Sequence, residues 1–217
     1  MRHIMNSPEL QIPLYHVDTQ ERNKKFVYDG AFFPSDEDGL WCGKGMYFWD
    51  SPGNARYWQN VVKSRGKKDV TTVIAYLKCP LECILDLTDN EQSIQFLTYA
   101  QRIFEDPEIG MDVSLFPIQE AGAVINTVHD YIEELSGVGS AFSVVREDGT
   151  YPRLIKKKNG LLGKQKRSYN KSRSYNKSRS LPLPTEGNRR VYAIRDGSLL
   201  KVRSEYEEGD NPYEFSI

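Results

Sequence analysis

The sequence predicts an α+β domain. Short runs rich in β-branched and aromatic residues read as strands and follow one another in pairs, and between the pairs lie segments whose apolar residues recur at helical spacing. Composition agrees: 217 residues, 39% hydrophobic and 12% aromatic, suffice for one domain with a sizeable core and exclude a wholly disordered chain.

Each element has a local reason. Residues 12–17 (IPLYHV) and 46–49 (MYFW) read as strands, the second following the Gly-rich turn 42–45. Asp50-Ser51-Pro52 then sets an N-cap before a proline at the first helical position, and Ala55, Trp58, Val61 and Val62 continue at helical spacing. Residues 70–77 and 83–87 are the next two strands, and Thr88-Asp89 caps a helix expected over 90–104. Residues 120–135 place Ala123, Val124, Val128, Ile132 and Leu135 on one helical face, and 141–145 form a strand leading to a turn at Glu147-Asp148-Gly149. Residues 190–194 and 198–202 close the pattern as strands.

The charges are unevenly placed. Lys and Arg total 29 against 30 Asp and Glu, yet residues 153–179 hold eleven cations and no acid. The rest keeps 18 cations, so a segment of +11 interrupts a body of −12. The segment twice repeats SYNKSR and has too little apolar surface to offset the entropy of ordering it. The organisation expected is therefore a single domain over 1–202, a flexible basic insertion at 153–181 and an acidic C-terminal tail at 203–217. No apolar run of secretory length opens the chain and none later approaches a membrane span, which leads to the expectation of a soluble, cytoplasmic protein. Cys42, Cys79 and Cys83 are odd in number and lack paired CxxC spacing or nearby His, which argues for reduced, packed cysteines and against a disulfide framework or a metal site.

Three features bear on chemistry: Tyr15-His16 in the first strand, Gly43-Lys44-Gly45-Met46-Tyr47-Phe48-Trp49, and the strand from Val191. Singly they are weak, since a lone His at a strand end is more often structural, and GKG lacks the spacing of a Walker loop or dinucleotide fingerprint. Together with Ala55 and Trp58, Ile84-Leu85-Asp86-Leu87-Thr88-Asp89, Ala123-Val124-Ile125, Tyr151-Pro152 and Tyr192 to Asp196, their order resembles the ADP-ribosyltransferase superfamily. The likeness is to a His-Tyr-Glu-like bacterial and phage branch and spans about 14–202 without the insertion.

The resemblance implies split antiparallel β-sheets with flanking helices and NAD as substrate. It implies that His16 hydrogen-bonds a ribose hydroxyl, that Tyr47 stacks on the nicotinamide, that the backbone of Val17 binds the nicotinamide amide, and that Gly43 and Gly45 let the chain turn tightly beside it. It further implies transfer of ADP-ribose to a nucleic-acid or protein acceptor, as in toxins of conflict systems that are held by a cognate antitoxin. Two positions depart from the pattern. Val17 stands where relatives have Gly, and Val191 stands where they place Glu or Gln against the nicotinamide ribose; valine can neither accept that hydrogen bond nor stabilise an oxocarbenium. Three readings of Val191 stay open: a shifted register with Glu186 as the acid, a mono-ADP-ribosyltransferase that works without it, or a silenced site.

The insertion also has more than one reading. Eleven cations interleaved with Tyr169 and Tyr175 suit a nucleic-acid strand, with Lys171, Arg173, Lys177 and Arg179 contacting the acceptor. The alternatives are a solvated repeat or a loop that folds onto the acidic body and blocks the site until a polyanion competes. At the level of the whole chain, the transferase stands against a catalytically inactive module of the same fold that recruits nucleic acid or an acidic protein, and against an α+β domain whose motif matches are coincidental. His129 reads as a structural helix residue, and no nucleophile elbow marks a hydrolase.

Overall fold

The computed structural model describes residues 8–35, 41–106, 121–136, 142–150 and 188–210. By compactness the chain divides into a body, 1–148 with 190–217, and a second unit, 149–189, of which only the strand ends 149–150 and 188–189 are described. The insertion at 153–181, with Lys171, Arg173, Lys177 and Arg179, lies outside the described residues, as do Tyr151, Pro152 and Glu186.

The elements in order are β1 (Glu9–Thr19), α1 (Gln20–Tyr28), β2 (Met46–Trp49), α2 (Pro52–Ser64), β3 (Val70–Pro80), β4 (Ile84–Asp86), α3 (Asn90–Glu105), α4 (Ala121–Ser136), β5 (Val144–Thr150), β6 (Asn188–Ile194) and β7 (Leu200–Glu205). The class is α+β, and among the described residues no helix is long and apolar enough to cross a membrane. The caps foreseen in the sequence form. Ser51 accepts the Asn54 N–H at 3.3 Å with Pro52 at the first helical position, and the Asp89 carboxylate accepts the Gln92 N–H at 2.8 Å.

Helix α1 has no counterpart in the sequence reading, because QERNKKFVY carries its apolar residues only at one end and shows no period. Its local supports are a Thr19 cap on the Arg22 N–H and a Glu21–Lys25 pair at 2.8 Å. Burial decides it: Phe26 is fully enclosed against the sheet, and helices this short draw their stability from such packing.

The seven strands order as β4-β5-β6-β2-β1-β3-β7. β1 pairs β3 antiparallel along its whole length, from Glu9↔Pro80 to Thr19↔Val70, and β2 pairs β6 from Met46↔Ile194 to Trp49↔Val191. Between β1 and β2 a single registered pair, Tyr15↔Trp49, joins the two halves. The sheet is thus two ladders hinged at one point. In contrast to the antiparallel arrangement expected, β4 and β5 run parallel, since α3 and α4 intervene as the crossover that a parallel pair requires.

Two further expectations are corrected. The turn proposed at 147–149 lies inside β5, because ladder pairing overrides the turn chemistry of Asp-Gly. The last strand starts at Leu200, since the Asp196 carboxylate caps the Ser198 N–H at 2.8 Å and holds Gly197–Leu199 in a 3₁₀ turn. Glu205 of the acidic tail belongs to β7, opposite Val73, and residues 211–217 lie outside the described residues.

Strand alternation builds the core. Leu14, Met46, Phe48, Val73, Ala75, Leu77, Val144 and Ile194 face Phe26 of α1, while Tyr15, Ile74, Val191 and Ala193 are buried on the opposite face. The three cysteines are unbridged, and burial, with smaller contributions from Cys83 and Glu9, pushes the Cys79 thiol up to about 11.

One partly buried ion pair locks the parallel edge. Arg146 of β5 grips the Asp86 carboxylate in a fork, Nε on Oδ1 at 2.8 Å and a terminal nitrogen on Oδ2, and Thr88 adds its hydroxyl at 2.6 Å. Burial pushes the Asp86 carboxyl up, but the Arg146 and Thr88 hydrogen bonds outweigh it and hold the pKa below its ordinary value. A depressed folded value means that the stabilisation is complete above the unfolded carboxylate range and disappears as pH falls through the folded one. Asp86→Asn is therefore expected to cost about 3 kcal/mol at pH 7 and much less at acid pH, read by denaturant unfolding at both.

Candidate functional site

The fork where β1 and β2 part is built around His16. Beyond the Tyr15↔Trp49 pair the backbones no longer share a ladder, and the His16 ring takes the place of the missing bond: Nδ1 lies 2.6 Å from the Tyr47 carbonyl oxygen. A carbonyl only accepts, so Nδ1 carries the proton and donates. Nε2 points to the Asp18 carboxylate at 3.7 Å, and the rings of Phe48 and Phe26 flank the imidazole at 5.2 and 6.3 Å. With 8% of its surface exposed, His16 is fixed in tautomer and orientation by groups on three sides.

Asp18 completes this end. Burial raises its pKa, but the His16 imidazole at 3.7 Å, the hydrogen bond from the Thr19 N–H and the charge of Arg22 at 3.0 Å together hold it below its ordinary value. The carboxylate therefore stays ionised beside the imidazole through the neutral range.

Tyr47 sits on the other side of the fork. Its hydroxyl donates to the Gly43 carbonyl at 2.7 Å, and its ring, paired in register with Ala193, points to the face opposite His16. The fork thus joins the His16 ring to the Tyr47 backbone rather than to its ring. Val17 is buried and stands in register with Thr72 of β3. Val191 is 2% exposed, in register with Trp49, whose indole meets Trp58 of α2 at 6.0 Å.

The loop before β2 needs its glycines. Gly43 has φ +76°, and a Cβ there would stand 2.3 Å from Asn126 Oδ1; Gly45, at φ +149°, runs so close to β6 that a Cβ would lie 2.9 Å from the Ile194 carbonyl. Asn126 Oδ1 itself accepts from the Lys44 N–H at 2.7 Å and the Arg195 guanidinium at 2.6 Å, which fixes the loop to α4 and to the end of β6. Sequence reasoning missed Asn126 and Arg195, which are far apart in the chain and match no motif. Gly43→Ala is expected to cost about 1–3 kcal/mol and to shift the Tyr47 hydroxyl off its carbonyl, measurable as a lower unfolding midpoint with altered tyrosine fluorescence.

Two other features lie outside the fork. A cavity of about 200 Å³ is lined by Arg56, Gln59, Thr72, Tyr206 and Glu208, with the Arg56–Glu208 ion pair among its walls. His129, Asp130 and Glu133 on α4 bring their ligand atoms within 4.8 Å of one another, but Asp130 is also paired with Lys44 at 3.5 Å, and the His129 ring packs edge-on against Phe142 at 5.1 Å.

No protein-family model matches the chain, and no solved structure matches it. It is similar to uncharacterized protein MJ0359 of Methanocaldococcus jannaschii, with 24% identity over 160 residues that cover 72% of each chain.

Proposed function

We propose that the protein is a mono-ADP-ribosyltransferase that moves ADP-ribose from NAD to a macromolecular acceptor, with nucleic acid as the favoured class. The observation that supports this reading best is the fork itself: two ladders meeting at one pair, with His16 held rigidly in the gap by the Tyr47 carbonyl. The split-sheet arrangement of the superfamily is the finer fold within this proposal, with residues 1–202 as its domain and 153–181 as an insertion in it.

The chemistry sets the demands. Cleavage of the bond between nicotinamide and ribose builds positive charge on the ribose carbon, so the site must orient the dinucleotide and stabilise that charge. In this reading His16 binds a ribose hydroxyl through Nε2, the nitrogen that faces the ionised Asp18 carboxylate at 3.7 Å. Tyr47 offers a ring face to the nicotinamide and the Val17 backbone takes its amide, while the basic insertion neutralises acceptor phosphates. The setting that fits a transferase of this kind is a conflict system with a cognate antitoxin.

The test is transfer of label from adenylate-labelled NAD to a mixture of RNA, DNA and cell protein, followed by nuclease or protease digestion. Label in nucleic acid that vanishes in the Tyr47→Ala protein is the expected result. A second reading, an inactive binding module of the same fold, draws on Val191, which is buried and apolar where an acid is needed. NAD binding without any label transfer favours it.

A further inference from the structure

Strand β5 carries three consecutive charged residues whose side chains alternate across the sheet. Arg146 holds Asp86 and lies beside Tyr192, and Asp148 holds Arg190 at 2.9 Å. Glu147, between them, points to the other face, and among the described residues no cation pairs with it. Its Oε2 accepts from the buried Cys42 thiol at 3.5 Å.

The pairing of β5 with β6 fixes where that carboxylate stands. The Arg195 N–H bonds the Ser143 carbonyl at 2.8 Å, Arg146 meets Tyr192, and Asp148 meets Arg190; all three fit one antiparallel register. That register sets Glu147 opposite Val191 and Val145 opposite Ala193. Because Val191 and Ala193 stand opposite Trp49 and Tyr47, one face of the sheet carries the row Glu147–Val191–Trp49 beside the row Val145–Ala193–Tyr47. The Glu147 backbone is displaced from Val191 by one strand spacing, about 4.8 Å, which a glutamate side chain can span. Cys42, which touches the carboxylate, precedes Gly43, whose carbonyl takes the Tyr47 hydroxyl.

A half-buried carboxyl whose partner among the described residues is a thiol is costly, and an apolar residue would pack there at less expense. Burial, helped by Asp148 and opposed by Cys42, raises its pKa, the direction that suits a proton acceptor working near neutrality. Such groups gather at functional sites.

We propose that Glu147 is a catalytic residue that supplies from β5 the carboxylate Val191 cannot, hydrogen-bonding the nicotinamide-side ribose and accepting the acceptor's proton. This rests on the ADP-ribosyl transfer reading. In the step, the bond from the ribose carbon to nicotinamide breaks, and its electron pair goes to the ring nitrogen, discharging the pyridinium. A lone pair of the acceptor closes the new bond to the ribose carbon, and the proton it sheds passes to the Glu147 carboxylate and on to solvent.

The test compares wild type, Glu147→Gln and the double variant Glu147→Gln with Val191→Glu, measuring nicotinamide release at saturating NAD and, separately, NAD affinity by calorimetry. Glu147→Gln is expected to slow release about 100-fold or more with affinity changed less than threefold, and to lose the rise in rate with pH expected of the wild type. The double variant, which returns a carboxylate one strand over, is expected to recover at least tenfold. Should Glu147→Gln not fold, Glu147→Asp keeps the charge and withdraws it by one methylene; a tenfold loss is expected, and a wild-type rate overturns the proposal. Release by Glu147→Gln within threefold of wild type overturns this inference and leaves the transferase reading standing. A wild-type protein that neither binds NAD nor releases nicotinamide overturns both, and one that binds NAD without release overturns the role of Glu147 in favour of a binding module.

Discussion

His16→Ala is expected to lower NAD cleavage at least about 100-fold and to weaken NAD binding. The imidazole bridges the fork, with a donor on the Tyr47 carbonyl at 2.6 Å and a second nitrogen facing Asp18 at 3.7 Å. Alanine removes both functions and leaves a void beside Phe26 and Phe48, so a stability loss of about 1–3 kcal/mol accompanies the change. His16→Gln separates the effects: its amide N–H can still reach the Tyr47 carbonyl, so the unfolding midpoint is expected to recover while nicotinamide release does not. Release at the wild-type rate in either variant would remove His16 from the site.

Neutralising Lys171, Arg173, Lys177 and Arg179 together is expected to abolish most acceptor modification without altering NAD affinity. Each phosphate contact on a single strand contributes about 0.7 to the slope of log affinity against log salt, so four lost contacts flatten that slope by roughly 3. At low salt this corresponds to a drop in acceptor labelling on the order of 100-fold, while calorimetry with NAD reads the same affinity in both proteins. An equal loss of NAD affinity argues that these residues serve the NAD site and not the acceptor. If the wild type, free of nucleic acid, hydrolyses NAD at a rate indifferent to salt, the autoinhibitory reading of the segment fails, since an attraction between a +11 segment and a −12 body must weaken on screening.

These expectations differ in how far they were visible in the chain. His16, Tyr47 and the glycines stand out because the chemistry-bearing types lie close together in sequence, within one strand or one turn. Glu147 does not, because Glu-Asp-Gly reads as a turn, and only the pairing of β5 with β6 converts it into a strand residue across from Val191. Asn126 and Arg195 are similarly silent: their meaning is a hydrogen-bond network with Lys44 that spans three elements.

By itself, the sequence determined what local physics settles. The Ser51 and Asp89 caps, the 46–49 strand, the helical spacing of apolar residues in α2 and α4, and the segregation of +11 from −12 each depend on residues a few positions apart. Tertiary structure decided the rest. Helix α1 exists because the sheet buries Phe26, the parallel β4–β5 edge because helices intervene, and the fork because β1 spends its pairing on β3 and shares one residue pair with β2. Strand partners far apart in the chain are chosen by burial and ladder hydrogen bonds summed over the whole sheet, and no window of sequence contains that sum.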